Sequence, residues 1–175
     1  MGWPARRQED NLTASLPFDT ETTMLRIARH TDYAARVVLF LACEPDGERR
    51  ATAAEIARLR LIPRAFVRRV VSRLSTAGIL TTTRGHRGGV ALARPPSRIN
   101  LLDVVRAMEG PPSFSECIER ASACALHDGC QLTSCFREAN RALEKVLVRT
   151  HFGDLAARAA RRALGGRRRR RDPRS

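Results

Sequence analysis

Residues 63–78, PRAFVRRVVSRLSTAG, leave few folds open to the chain. Phe66, Val67, Val70, Val71 and Leu74 recur at helical spacing and predict an inward stripe, while Arg64, Arg68, Arg69 and Arg73 are left on the opposite face. Pro63 suits the first position of this helix and Gly78 stops it. A helix so charged on one side has to keep that side at the surface. Upstream, Ala34, Val37, Val38 and Leu41 fall at i, i+3, i+4 and i+7, which predicts a helix from Thr31, read as its N-cap, to about Cys43. Glu44-Pro45-Asp46-Gly47 is turn chemistry. Thr52 and Glu55 then form a capping box that opens a short helix, Ala53 to about Leu59. A short helix, a tight turn and an arginine-faced helix make a helix-turn-helix.

Two short strand patterns follow, Ile79–Arg84 and Val90–Ala93, joined by Gly85-His86-Arg87-Gly88-Gly89. This hairpin reads as a basic wing. Its glycines permit positive φ and close approach to DNA, and Arg84 and Arg87 are placed to reach phosphates or a narrow minor groove. After Pro95-Pro96, Asn100 caps a helix through Leu101, Val104, Val105 and Met108 that ends at Gly110. The expected fold is mainly α with a small β-hairpin: a winged helix-turn-helix domain over 24–110 plus a long dimerisation helix.

Charge supports the same direction. The chain of 175 residues carries 32 basic against 18 acidic side chains, a net +14. The tail from Arg167 contributes +5 and residues 1–23 contribute −2, so the body keeps +11. The partner expected for such a body is a polyanion, nucleic acid before an acidic membrane. Residues 1–23 show no periodicity and read as a disordered extension, with Met24 a candidate start. Residues 165–175 open on Gly165-Gly166 and read as a disordered basic tail. No apolar run reaches the ~18 residues of a membrane span, and the N-terminus lacks a signal-peptide core, so a soluble, cytoplasmic chain is expected. No nucleophile–base pair, phosphate-binding glycine loop or carboxylate pair is recognisable. An enzyme is not expected.

Four of the five cysteines crowd into 111–135: Cys117, Cys124, Cys130 and Cys135. An odd cysteine count in a cytosolic chain disfavours disulfides. Structural zinc, with His127 as a possible fourth ligand, would ordinarily bring close CxxC pairs, which the segment lacks. Gaps of six, five and four residues suit a loop around a larger object, and an iron–sulfur cluster is one. Cys43, on a helix with a good apolar face, reads as a small buried hydrophobe. Over 131–164, Phe136, Ala139, Leu143, Val146 and Leu147 lie at nearly heptad spacing and predict a helix that pairs with its twin, followed by a last helix after Thr150.

Thr31-Asp32-Tyr33-Ala34, Glu55-Ile56-Ala57, Arg84-Gly85-x-x-Gly88-Gly89, Leu92-Ala93-Arg94-Pro95-Pro96, Asp103-Val104-Val105-Arg106-Ala107 and the cysteine loop together resemble the IscR/NsrR superfamily of bacterial winged-helix regulators, over about Met24 to Leu155. The resemblance implies a homodimeric transcription factor, usually a repressor, that holds a 2Fe–2S or 4Fe–4S cluster through Cys117, Cys124 and Cys130. It places the recognition helix at Pro63 onward and the wing at Arg84–Gly89. The Thr-Asp-Tyr-Ala opening is similar to the nitric-oxide-sensing branch, which implies that the partner subunit's Asp32 completes the cluster. Cys135 is the alternative fourth ligand, and with it a sensor of iron or cluster status is implied instead. The first inter-cysteine gap is one residue longer than the commonest spacing, and Ile62 stands where the family usually has a capping serine. A zinc-stabilised DNA-binding module without redox sensing is the other reading left open by the residues.

Overall fold

The computed structural model describes residues 27–44, 50–85, 88–113, 115–124 and 127–171. The extension 1–23, the wing-tip residues His86 and Arg87, and positions 172–175 lie outside the described residues.

Helix α1, Arg29–Ala42, buries the predicted stripe completely: Ala34, Val37, Val38 and Leu41 are all at 0% exposure. Its start differs from expectation. Thr31 sits inside the helix with its side chain buried, and the N-cap is Ala28, which offers no side-chain acceptor. The acceptor comes instead from a distant part of the chain. The Glu109 carboxylate takes hydrogen bonds from the Ala28 amide, at 3.1 Å, and from the Thr31 hydroxyl. An anionic group there also suits the positive end of the helix. Cys43 is the C-cap of α1 and is exposed, because the apolar stripe ends one residue earlier.

Helix α2, Ala53–Arg60, opens as predicted on Thr52, whose hydroxyl accepts from the Glu55 amide at 3.1 Å. It closes on Leu61, which adopts φ 53° and ψ 44°, a left-handed conformation unusual for a bulky residue. Pro63 then caps α3, Arg64–Thr76, with Val67, Val70, Val71 and Leu74 buried. Phe66 is not within that stripe. It stays partly exposed and meets the Tyr33 ring edge-on at 5.7 Å. Gly78, at φ 66°, ends α3 through a Schellman pair, Gly78 N–H to Ser75 O and Ile79 N–H to Leu74 O.

Strands β1, Leu80–Thr83, and β2, Gly89–Leu92, pair antiparallel from Leu80–Leu92 to Thr83–Gly89. Ala51 bridges Val90 on the other side of β2, so the segment before α2 is stitched to the wing. Two wing glycines have steric reasons of their own. A Cβ on Gly88 would lie 2.2 Å from the Thr83 carbonyl oxygen, and one on Gly89 would press on the Ala51 backbone at 3.1 Å. Helix α4, Leu101–Glu109, starts with a complete Asn100–Asp103 capping box. Arg94 adds an ion pair to the same Asp103 carboxylate at 2.9 Å.

The cysteine-rich region holds helix α5, Glu116–Glu119, and two one-turn 3-10 helices, Ala121–Ala123 and His127–Gly129. Segment 131–164 becomes two helices with different partners. Helix α6, Leu132–Arg149, rests on α4 through Leu147 against Leu102 and Val105, with an Arg106–Glu144 ion pair at 3.3 Å beside them. Helix α7, Phe152–Arg171, returns to the main core, where Phe152 is 1% exposed among residues of α1 and α4. The tail expected to be disordered from residue 165 is therefore helical as far as Arg171. Arginine is a good helix former, and cations at a helix C-terminus complement its dipole, which offsets the cost of Gly165 and Gly166.

Candidate nucleic-acid interface and cysteine loop

Helix α3 and the β1–β2 hairpin lie side by side on one part of the winged domain, and they carry most of the predicted DNA-facing residues. Arg64, Arg68 and Arg69 are exposed on α3, and Arg84 and Gly85 are exposed at the end of β1. Gly85 has φ 110° with open space around its Cα, so its positive φ is what requires glycine there. Gly88 is explained by contacts within the hairpin and Gly89 by the Ala51 backbone beside it. Arg73 is placed differently from its neighbours. Its Nη1 donates to the Met108 carbonyl at 2.5 Å, so the guanidinium ties α3 to the last turn of α4. Sequence reasoning gave it to the basic face because helical spacing cannot show a contact 35 residues away. Arg50 was missed: it reaches the wing and donates to Thr83 Oγ1 at 3.1 Å.

Asp32 lies in the first turn of α1 and is paired with Arg36 at 2.7 Å, about half exposed. The Arg36 guanidinium lies 5.9 Å from the Tyr33 ring centroid, and Tyr33 in turn meets Phe66 of α3.

Cys117, Cys124 and Cys130 are all partly exposed thiols, and Cys135 is exposed on the first turn of α6. Cys117 Sγ lies 3.2 Å from the Ser115 hydroxyl. Cys130 stands just before α6, where the Leu132 amide holds its thiol below the usual thiol range. The thiolate is the form that binds metals. His127 Nε2 lies 3.4 Å from Arg137 Nη2. Among the described residues, no three His, Cys, Asp or Glu side chains come together as a metal site. The donor set therefore suits an iron–sulfur cluster in kind, three soft thiols on one short segment, while the single chain keeps those thiols apart.

The outer side of α6 carries an apolar stripe that is exposed in part. Leu132, Phe136, Ala139, Leu143 and Val146 alternate by four and three residues, and Leu132, Leu143 and Val146 are 58%, 39% and 63% exposed. Leu147, expected in this stripe, belongs to the face buried on α4.

Residues 27–158 match the Rrf2 family, described as iron-dependent transcriptional regulators. The chain belongs to this family. Over 132 residues it is 36% identical to protein aau3 of Rhizobium meliloti, covering 75% of this chain and 84% of that protein. It is 33% identical to the HTH-type transcriptional regulator NsrR of Oceanobacillus iheyensis, with coverage of 75% and 89%. Among solved structures it is similar to CymR, the global cysteine regulator of B. subtilis, with a TM-score of 0.61, 27% identity and coverage of 76% and 97%. Rrf2 regulators bind DNA and are not enzymes, in keeping with the winged helix-turn-helix seen here. No described helix is long and apolar enough to cross a membrane.

Proposed function

We propose that this Rrf2 regulator is a homodimeric repressor whose hold on promoter DNA depends on an iron–sulfur cluster that reacts with nitric oxide. One observation carries the reading. The thiol-bearing segment begins where α4 meets the recognition helix through Arg73 and ends on α6, whose heptad stripe exposes Leu132, Leu143 and Val146.

Cys117, Cys124 and Cys130 would hold the cluster, with the partner subunit's Asp32 as the fourth ligand and Cys135 as the alternative. When bound, the cluster supplies a centre open to nitric oxide, most readily at an iron held by a carboxylate, a more exchangeable ligand than a thiolate. The remaining parts are the chain's own. Cys130 lies two residues before Leu132, so the position of its sulfur bears on where α6 begins. At the other end of the segment, Gly110 follows Glu109 at φ 91°, and the adjacent Met108 carbonyl holds Arg73 of α3. Whatever restrains the loop thus acts on two elements, the recognition helix through one charge-assisted hydrogen bond and the dimer helix through its first turn. Arg64, Arg68 and Arg69 on α3, and Arg84, Gly85, His86, Arg87, Gly88 and Gly89 of the wing, form the DNA surface. Turning occupancy from 99:1 to 1:99 requires the two states to differ by about 5.5 kcal/mol in operator binding.

Protein purified without oxygen should contain iron and acid-labile sulfide, with visible absorption lost in Cys117→Ala, Cys124→Ala and Cys130→Ala but kept in Cys43→Ala. Colour retained in all three loop variants contradicts the ligand assignment. Asp32→Ala should change the reaction with nitric oxide without emptying the site. An unchanged reaction favours Cys135 and the sensing of iron or cluster status, and stoichiometric zinc without sulfide favours the zinc-stabilised module.

A further inference from the structure

The recognition helix and the wing are separated by a groove of about 530 Å³. Arg68, Ser72, Ser75 and Thr76 of α3 line one wall, and Thr82 and Thr83 of β1 the other. Ala53, the first residue of α2, also lines the groove. Among the described residues, five hydroxyls and one guanidinium line this space, and none of those lining residues is acidic. The hydroxyls are not equivalent. Thr76 Oγ1 already donates to the Ser72 carbonyl at 3.1 Å, while Thr83 Oγ1 accepts from Arg50, which leaves its own proton to be given outward. Ser75 Oγ is shielded from solvent and has no hydrogen-bond partner among the described residues.

We propose that this groove is a phosphodiester cleft, in which Ser72 and Thr83 donate to phosphate oxygens of one DNA strand, flanked by Arg68 and Arg50. The inference rests on the DNA-binding reading and deepens it. If α3 enters a major groove and the wing reaches the neighbouring minor groove, the sugar–phosphate strand that divides those grooves has to cross the gap between them. The chemistry found there suits that strand: hydroxyl donors, the Arg68 guanidinium among them, Arg50 beside Thr83, and no carboxylate among the described lining residues. Contacts of this kind fix register on the duplex and carry no sequence information.

The test uses the full chain and two fluorescein-labelled 30-bp duplexes of unrelated sequence, titrated by anisotropy across a range of salt. Ser72→Ala and Thr83→Val should each weaken binding about five-fold, and together roughly twenty-five-fold, as expected for neutral hydrogen bonds of ordinary strength. The loss should be equal on both duplexes and leave the salt dependence unchanged. Arg68→Ala should lower the slope of log affinity against log salt by about one, the signature of a lost phosphate ion pair. Thr83→Ser should restore parental binding, and thermal melts should show all variants folded. Unchanged affinity in Ser72→Ala and Thr83→Val overturns the cleft while leaving DNA binding intact. A loss confined to one duplex overturns it in favour of base reading. Failure of the parent chain to bind either duplex overturns the DNA-binding reading itself, and the cleft with it.

Discussion

Replacing Glu109 by alanine should destabilise the chain by more than its exposed position suggests. Its carboxylate satisfies two groups at the start of α1, the Ala28 amide and the Thr31 hydroxyl, and Thr31 is only 1% exposed. Water can replace the acceptor at Ala28. It cannot readily reach Thr31, so the stranded hydroxyl costs about 1–3 kcal/mol. Loss of an anion at a helix N-terminus adds about 0.3–1 kcal/mol. We expect about 2–3 kcal/mol for Glu109→Ala, against a total stability on the order of 5–15 kcal/mol for a domain. Thr31→Val, which removes the donor and keeps the shape, should cost about 1 kcal/mol. Once Thr31 is valine, Glu109→Ala strands nothing and should cost less, so the two changes should couple by about 1–2 kcal/mol. Urea unfolding of cluster-free protein at one fixed concentration, read as midpoint shifts at constant slope, measures this cycle. Additivity within about 0.5 kcal/mol would refute the shared hydrogen bond.

Three further outcomes follow from the same coordinates. Val146→Glu, at the most exposed position of the α6 stripe, should convert a dimer to monomer by sedimentation while leaving the helical circular dichroism intact; an undisturbed dimer refutes the stripe as the contact. Phe152→Ala should cost about 3–5 kcal/mol in urea unfolding because its ring fills the main core, and a loss below about 1 kcal/mol would mean that α7 is an appendage. In cluster-free protein carrying Cys130 as its one cysteine, alkylation should rise at lower pH than in the same chain unfolded in urea, since the folded thiol titrates below its ordinary range. The corresponding stabilisation is present above the unfolded thiol pKa and is lost as pH falls through the folded value. Coincident pH profiles would contradict the role given to the Leu132 amide.

The parts of the fold that could be read from sequence are those that local physics decides. The α1 and α3 stripes, the Thr52 cap, the Asn100 cap and the Gly78 stop each involve residues within a few positions of one another, so pattern and spacing suffice. The misplaced features depend on contacts between distant segments. Thr31 has the right chemistry for an N-cap, but its hydroxyl is drawn inward by a carboxylate 78 residues away. Arg73 has the spacing of the basic face, yet a carbonyl at the end of α4 captures it. Phe152 follows a break in the helical pattern, and nothing local shows that its ring returns to the first core. In the candidate site, composition singled out the cysteines and the wing arginines. Arg50 and the hydroxyl-lined groove carried no signal, because serine and threonine are common on exposed helices and strands and only the packing of α3 beside β1 brings them together.

The central claim, that the state of the cysteine loop governs DNA occupancy, is tested most directly by one titration. Anaerobic protein, metal-free protein and protein treated with nitric oxide would be bound to a duplex spanning a promoter recovered from genomic fragments by the loaded form. The account predicts tight binding by the loaded form alone and a large loss of affinity in both others. Equal affinity in all three states would contradict it.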